Sequence, residues 1–164
     1  MFKPFLLLGF VTLLDAQTPN QLEPPKDQVL LFKLTGKGSQ IYVCQSAAGA
    51  YTWVFKAPDA KLYNQDGELA GRHFAGPTWE AKDGSRVKGK LLSSVPSPDA
   101  GAIPWLLLTA VAHEGTGTMA SIQSIQRLNT TGGKAPAEPC EAPNDKHEVA
   151  VPYQANYFFY GARP

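Results

Sequence analysis

The chain has 164 residues, with 15 Lys+Arg against 14 Asp+Glu for a formal charge of +1. That length makes one ordinary domain, and the near-neutral balance leaves no electrostatic footprint for nucleic acid and no polybasic membrane patch. With 15 Gly and 14 Pro the chain is too rich in breakers for a helical bundle, yet short of a disordered composition.

Residues 1–16 read as a signal peptide. Met1-Phe2-Lys3 gives a short positive start, Phe5 to Leu14 is an apolar run of ten residues, and Ala16 offers a small residue for cleavage. Ten apolar residues do not span a hydrocarbon core of about 30 Å, so no membrane insertion is expected after cleavage. The localisation expected is secreted or periplasmic. Removing the segment takes Lys3 and Asp15 together and leaves the charge unchanged.

Export gives the cysteine count its meaning. Cys44 and Cys140 are an even pair, and in an oxidising compartment such a pair forms a disulfide. The competing reading, a Cys/His metal site, lacks any C-x-x-C spacing, and His147 stands seven residues beyond Cys140 across Pro143.

Residues 17–27 are polar, contain Pro19, Pro24 and Pro25, and read as an extended leader. Residues 28–164 then read as a single β domain. Val29 to Leu34 is a strand stopped by the breaker Gly36-Lys37-Gly38, and Gln40 to Cys44 is a second strand closed by Ser46 to Gly49. Tyr51 to Phe55 is aromatic and β-branched. Lys61 to Tyr63 leads into the turn Asn64-Gln65-Asp66-Gly67, and Glu68 to Phe74 and Thr78 to Ala81 flank Gly76-Pro77. Lys82-Asp83-Gly84-Ser85 is a further Asp-Gly turn. Arg86 to Leu91 alternates basic with apolar or small residues, as the solvent side of an edge strand would.

Ser93 to Ala102 is a surface loop. Ile103 to Ala112 has too little alternation to be half exposed; a helix opening at Pro104 fits it, and so does a strand covered on both faces, which the β neighbours favour. Met119 to Leu128 puts Ala120, Ile122, Ser124, Gln126 and Leu128 on one side at strand spacing. Thr130 to Asp145 is a Gly/Pro-rich loop carrying Cys140, and Val151 to Tyr160 is an aromatic last strand with Pro152 near its start. The fold class expected is all-β: an antiparallel sandwich or barrel closed by one disulfide.

Several blocks in order resemble one family. They are His73 to Glu80, Asp83-Gly84-Ser85, Ile103 to Leu108, Ile125 to Pro136 and Val151 to Tyr160. Together they resemble the domain of unknown function 3455 family of exported bacterial and fungal proteins, over nearly all of Val29 to Tyr160. The resemblance implies one domain for the whole mature chain and brings no established activity, cofactor or catalytic residues. Some fungal members carry a dehydrogenase-like name, which makes Gly115-Thr116-Gly117-Thr118-Met119-Ala120 worth testing as a dinucleotide loop. The Pro-rich loop that follows and the shortness of the remaining chain favour a hairpin turn instead, and no cofactor is expected.

Other chemistry is thinly marked. His73, His113 and His147 form no zinc spacing, so no metal site is expected, and no G-x-S-x-G marks a serine nucleophile. Glu80, Asp83 and Glu114 offer a carboxylate set for glycoside cleavage, as most chains of this size do. The richer feature is aromatic. Of Trp53, Trp79 and Trp105, Trp105 reads as core, whereas Trp79 lies beside Arg72, His73 and Glu80. These four residues are the candidate ligand-binding group, a shallow polar–aromatic site for an unknown glycan, small molecule or protein. The role expected is binding or structural. A lysozyme-inhibitor-like or carbohydrate-binding barrel and a metal-dependent cell-wall enzyme are the alternatives.

Overall fold

The short apolar stretches become eight strands: β1 (Gln28–Ala47), β2 (Ala50–Tyr63), β3 (Leu69–Phe74), β4 (Thr78–Ala81), β5 (Arg86–Val95), β6 (Trp105–Glu114), β7 (Ile122–Gly132) and β8 (Glu148–Ala162). The computed structural model describes residues 19–163, so the signal segment expected over residues 1–16 lies outside it. Each strand pairs antiparallel with the next, and β8 pairs with β1, giving a closed up-and-down barrel. Of the two architectures the sequence allows, the chain adopts the barrel. Eight strands enclose a lumen just wide enough to be filled by side chains or to hold one small ligand.

Several expectations about strand limits need correction. Ser93 to Val95 and Thr130 to Gly132, read as loop, are the ends of β5 and β7. Gly36-Lys37-Gly38 does not break β1, which runs unbroken through it. Both glycines are sites of close approach. A Cβ at Gly36 would stand 2.6 Å from the Tyr157 ring, and one at Gly38 would stand 2.1 Å from the Asp59 carbonyl oxygen. Missing side chains let the wall close here. Likewise Tyr51 to Phe55 and Lys61 to Tyr63 are parts of one strand, β2. Arg86 to Leu91 does present Lys88 and Lys90 to solvent, but β5 is no edge, because it is paired with β4 and β6. A closed barrel has none.

Alternation sorts the side chains into two layers. Leu62, Trp79, Val87, Ile125, Tyr157 and Phe159 form the heart of the lumen core, all at 1% exposure or less. On the outer wall Trp105, Leu107 and Leu128 form a second cluster under Leu22. Leu22 belongs to a single 3-10 turn, Asn20–Leu22, within the segment read as a leader, and its carbonyl accepts a hydrogen bond from Gln126 Nε2 at 2.5 Å. This cover explains why the first half of β6 shows so little alternation, its inner side facing the lumen and its outer side lying under Leu22. From Val111 on the strand is exposed, so cover on both faces does not extend to Ala112. The same cover buries Gln126.

The barrel has two different ends. At one, the β1–β2 and β3–β4 turns meet the longer β5–β6 and β7–β8 connections. The Cys44–Cys140 disulfide sits there, with Cα atoms 5.7 Å apart, and ties the β7–β8 loop to β1. Backbone hydrogen bonds from Cys44 to the His147 carbonyl and from Lys146 to the Cys44 carbonyl run beside it. At the other end the β2–β3 and β4–β5 turns pack with the β6–β7 loop.

Candidate functional site

The four candidate residues lie on one hairpin. In the β3–β4 register His73 faces Trp79 and Arg72 faces Glu80. Strand alternation therefore sends the pairs to opposite faces of the wall: His73 and Trp79 into the lumen, Arg72 and Glu80 to the outside. The structure brings the four together along the chain and separates them into two pairs in space.

The outer pair belongs to a chain of ions. Glu80 receives Arg72 Nε at 2.8 Å and Nη2 at 3.2 Å, and also pairs with Arg86 Nε, whose Nη1 reaches Glu114 at 2.9 Å. Arg72, then Arg86, hold the Glu80 carboxyl below its usual range. Two of the three carboxylates in the glycosidase-like set are thus already bound to arginine. Asp83, the third, accepts from the Ser85 amide and hydroxyl through Oδ1, and from the Thr118 amide and hydroxyl through Oδ2. The Ser85 hydroxyl, followed by Thr118, keeps the Asp83 carboxyl well below the normal carboxylate value. Its work is to clamp the β4–β5 turn to the β6–β7 loop. Gly115 to Ala120 forms that loop, and β7 rather than a helix follows it, so a dinucleotide cradle is absent.

The inner pair is different in kind. The His73 and Trp79 rings stack at a centroid distance of 4.3 Å and an interplanar angle of 11°, with the Tyr157 ring edge-on to both. His73 Nδ1 lies 2.9 Å from the Thr78 carbonyl oxygen. A carbonyl only accepts, so Nδ1 carries the proton. Burial drives the His73 pKa down to about 3, with the Thr78 carbonyl opposing and Arg127 assisting. The ring is neutral at physiological pH.

Below the loop end these rings border a cavity of about 320 Å³. Gln40, Pro58, Leu106, Leu108 and Arg127 complete its inner lining, with Phe55 and Leu91 at the rim. Arg127 projects inward from β7, where its register partners are Leu106 and Tyr157. Its Nε and Nη2 donate to the Pro104 carbonyl at 3.1 and 2.8 Å, and burial lowers its pKa while Tyr157, Tyr153 and Tyr42 push back. None of the ion pairs among the described residues includes it. Gln40 Nε2 and Trp79 Nε1 are buried and have no hydrogen-bond partner. A larger hollow of about 740 Å³ lies at the opposite end, beside Asn64, Asp83 and Met119. Two of its polar residues are already engaged: Asn64 Oδ1 accepts from the amides of Asp66 and Glu68, and Asp83 is bonded as above.

Arg127, Gln40 and Tyr157 were not legible as site residues. One signal existed for Arg127: at strand spacing it shares a face with Ile125, so a charge was headed for an apolar side. Of the remaining histidines, His113 lies near the end of β6 with Nε2 2.7 Å from the Ile122 carbonyl, and His147 is exposed before β8. Among the described residues no three His, Cys, Asp or Glu side chains are grouped to hold a metal.

No curated protein and no solved structure matches the chain. A family match is found over residues 24–161, which takes in all of the barrel but its last strand residue. The chain belongs to the family described as protein of unknown function (DUF3455).

Proposed function

We propose that this is an exported, non-catalytic binding protein that takes a small molecule into the loop end of its barrel. One observation carries the reading: a lumen cavity of about 320 Å³ is bordered by two buried donors, Gln40 Nε2 and Trp79 Nε1, that have no hydrogen-bond partner among the described residues. Buried donors without partners are costly and rare in folded proteins, and a bound ligand is one way they are satisfied. Apolar walls with a few fixed polar groups are what a small-molecule site requires. The outer wall supports the same choice, because Arg72, Glu80, Arg86 and Glu114 satisfy one another and leave little for a surface glycan.

The disulfide supports export, since such bonds persist in oxidising compartments. It also suits binding. It fixes the loop beside the mouth, so the cavity is preformed and little ordering entropy is lost on binding.

The test is native mass spectrometry of the oxidised protein, with Leu106→Trp as a cavity-filling control. A small-molecule adduct on the parent that disappears from the variant is the expected result. An adduct retained by the filled variant, or thermal stability indifferent to a panel of small apolar ligands, would sink the reading.

A further inference from the structure

We infer that the ligand is an organic monoanion, a carboxylate on an apolar body, whose head is received by Arg127. The inference rests on the binding reading above and names the chemistry of that same cavity.

Charge inside the lumen is one-sided. Arg127 brings a permanent positive charge, and the polar groups that feel it are the Tyr42, Tyr153 and Tyr157 hydroxyls and the neutral His73. No carboxylate is among them. The four ion pairs of the described residues are made by Lys56, Arg72 and Arg86 with Glu148, Glu80 and Glu114, none of which involves the lumen cation. A half-buried guanidinium held, among the described residues, by one backbone carbonyl and the neutral Tyr157 hydroxyl is poorly compensated.

The unpartnered groups on the cavity lining have the same sign. Gln40 Nε2 and Trp79 Nε1 are both donors, and Gln40 is 2% exposed while Trp79 is 1% exposed. Both residues line the cavity with Arg127. What the site lacks is negative charge and an acceptor placed to meet these donors. A carboxylate supplies both, through charge-assisted hydrogen bonds that are shorter and stronger than those of a neutral amide.

The remaining lining sets the rest of the molecule. Pro58, Leu106, Leu108 and Pro77 offer no hydrogen bonds from their side chains, and Phe55 and Leu91 continue the apolar surface to the rim, where they are 49% and 53% exposed. Lys56, the other cation on the lining, is engaged by Glu148. One uncommitted cation matches one negative charge, which favours a carboxylate over a phosphate dianion.

Calorimetric titration of the full oxidised protein with 2-naphthoate and with 2-naphthamide separates charge from shape. The acid is expected to bind at least about tenfold tighter than the amide. Arg127→Gln should erase that preference by weakening the acid alone, and Arg127→Lys should retain part of it. Equal affinity for acid and amide in the parent protein, or a preference that survives Arg127→Gln, overturns the inference while leaving the cavity reading intact. Should Arg127→Gln fail to fold, the parent's acid-to-amide ratio decides alone. Absence of binding by both probes overturns the anion inference and the cavity reading together.

Discussion

The two ends of the barrel are built from the same wall and treat their polar groups in opposite ways. At the turn end, Asp83 accepts four hydrogen bonds from Ser85 and Thr118, and Ser85 Oγ in turn accepts the Met119 amide at 3.0 Å. Around Asp83, donors and acceptors are matched within the chain, and the one buried orphan at that end is an acceptor, Gln28 Oε1 at the start of β1. At the loop end, Gln40 and Trp79 keep donors without a hydrogen-bond partner among the described residues, and Arg127 keeps a charge outside all of their ion pairs. Matched polar groups close a fold; a surplus of one kind reserves space for something else. The disulfide falls at the end with the surplus, which lacks the other's polar clamp and is held covalently.

Breaking the staple is the largest test of that contrast. Cys44 and Cys140 are 96 residues apart, and closing so long a loop lowers unfolded-state entropy by about 4 to 5 kcal/mol. The double variant Cys44→Ala/Cys140→Ala should lose about that much stability in urea, with the loss centred on the loop end. Hydrogen exchange should quicken in the β7–β8 loop and leave the β4–β5 turn protected. Equal quickening at both ends would show that the ends are not independent.

A second effect comes from within the cavity wall. The His73 pKa is about 3 in the folded barrel against about 6.5 for an unperturbed ring, so between those values the unfolded chain binds a proton that the native state refuses. Stability from the neutral ring is therefore complete above about pH 6.5 and declines as pH falls toward 3. The slope is about 1.4 kcal/mol per pH unit, on the order of 5 kcal/mol across the window. Urea midpoints of the parent and His73→Gln, compared from pH 7 to pH 4, measure it. The variant should show the flatter profile, and parallel profiles would mean that the ring is hydrated in the native state.

The pattern of these effects also shows what a sequence discloses. Turn chemistry was legible: Asn64 to Gly67, Lys82 to Ser85 and the Ala48-Gly49 corner, with φ of 52° and 82°, all fall between strands as local preference dictates. The disulfide followed from counting, and the β3–β4 hairpin from the Gly76-Pro77 turn between its two strands. Gly36 and Gly38 misled because a glycine needed for close approach across the wall looks like one needed for a turn. The candidate quartet was close in sequence, but alternation divides neighbours between faces, and only His73 and Trp79 reach the cavity. Arg127 and Gln40 arrive from β7 and β1, 87 residues apart along the chain, and only barrel closure makes them line one cavity. Local pattern cannot carry that information.

At the turn end the expected effect is smaller and strictly local. Ser85→Ala removes the acceptor for the buried Met119 amide and one donor to Asp83, at a cost of about 1 to 3 kcal/mol for the orphaned N–H. Affinity for 2-naphthoate should stay unchanged, since the clamp is at the far end of the lumen. A parallel loss of affinity would mean that the two ends are coupled through the core.

The smallest effect belongs to Arg72, and its smallness is informative. Arg72 makes two hydrogen bonds to Glu80 and lies 4.8 Å from the Phe74 ring centroid, which on a contact count would make it a prominent residue of the candidate group. Yet its side chain is 59% exposed, and water screens an ion pair of that kind to little net value. Glu80 also keeps Arg86 as a partner, so no carboxylate is stranded when Arg72 is removed. Arg72→Ala should therefore leave the urea midpoint and 2-naphthoate affinity at their parent values, whereas Trp79→Ala, on the other face of the same hairpin, should abolish binding. If Arg72→Ala weakened binding as much as Trp79→Ala, recognition would lie on the outer wall and the lumen donors would need another explanation.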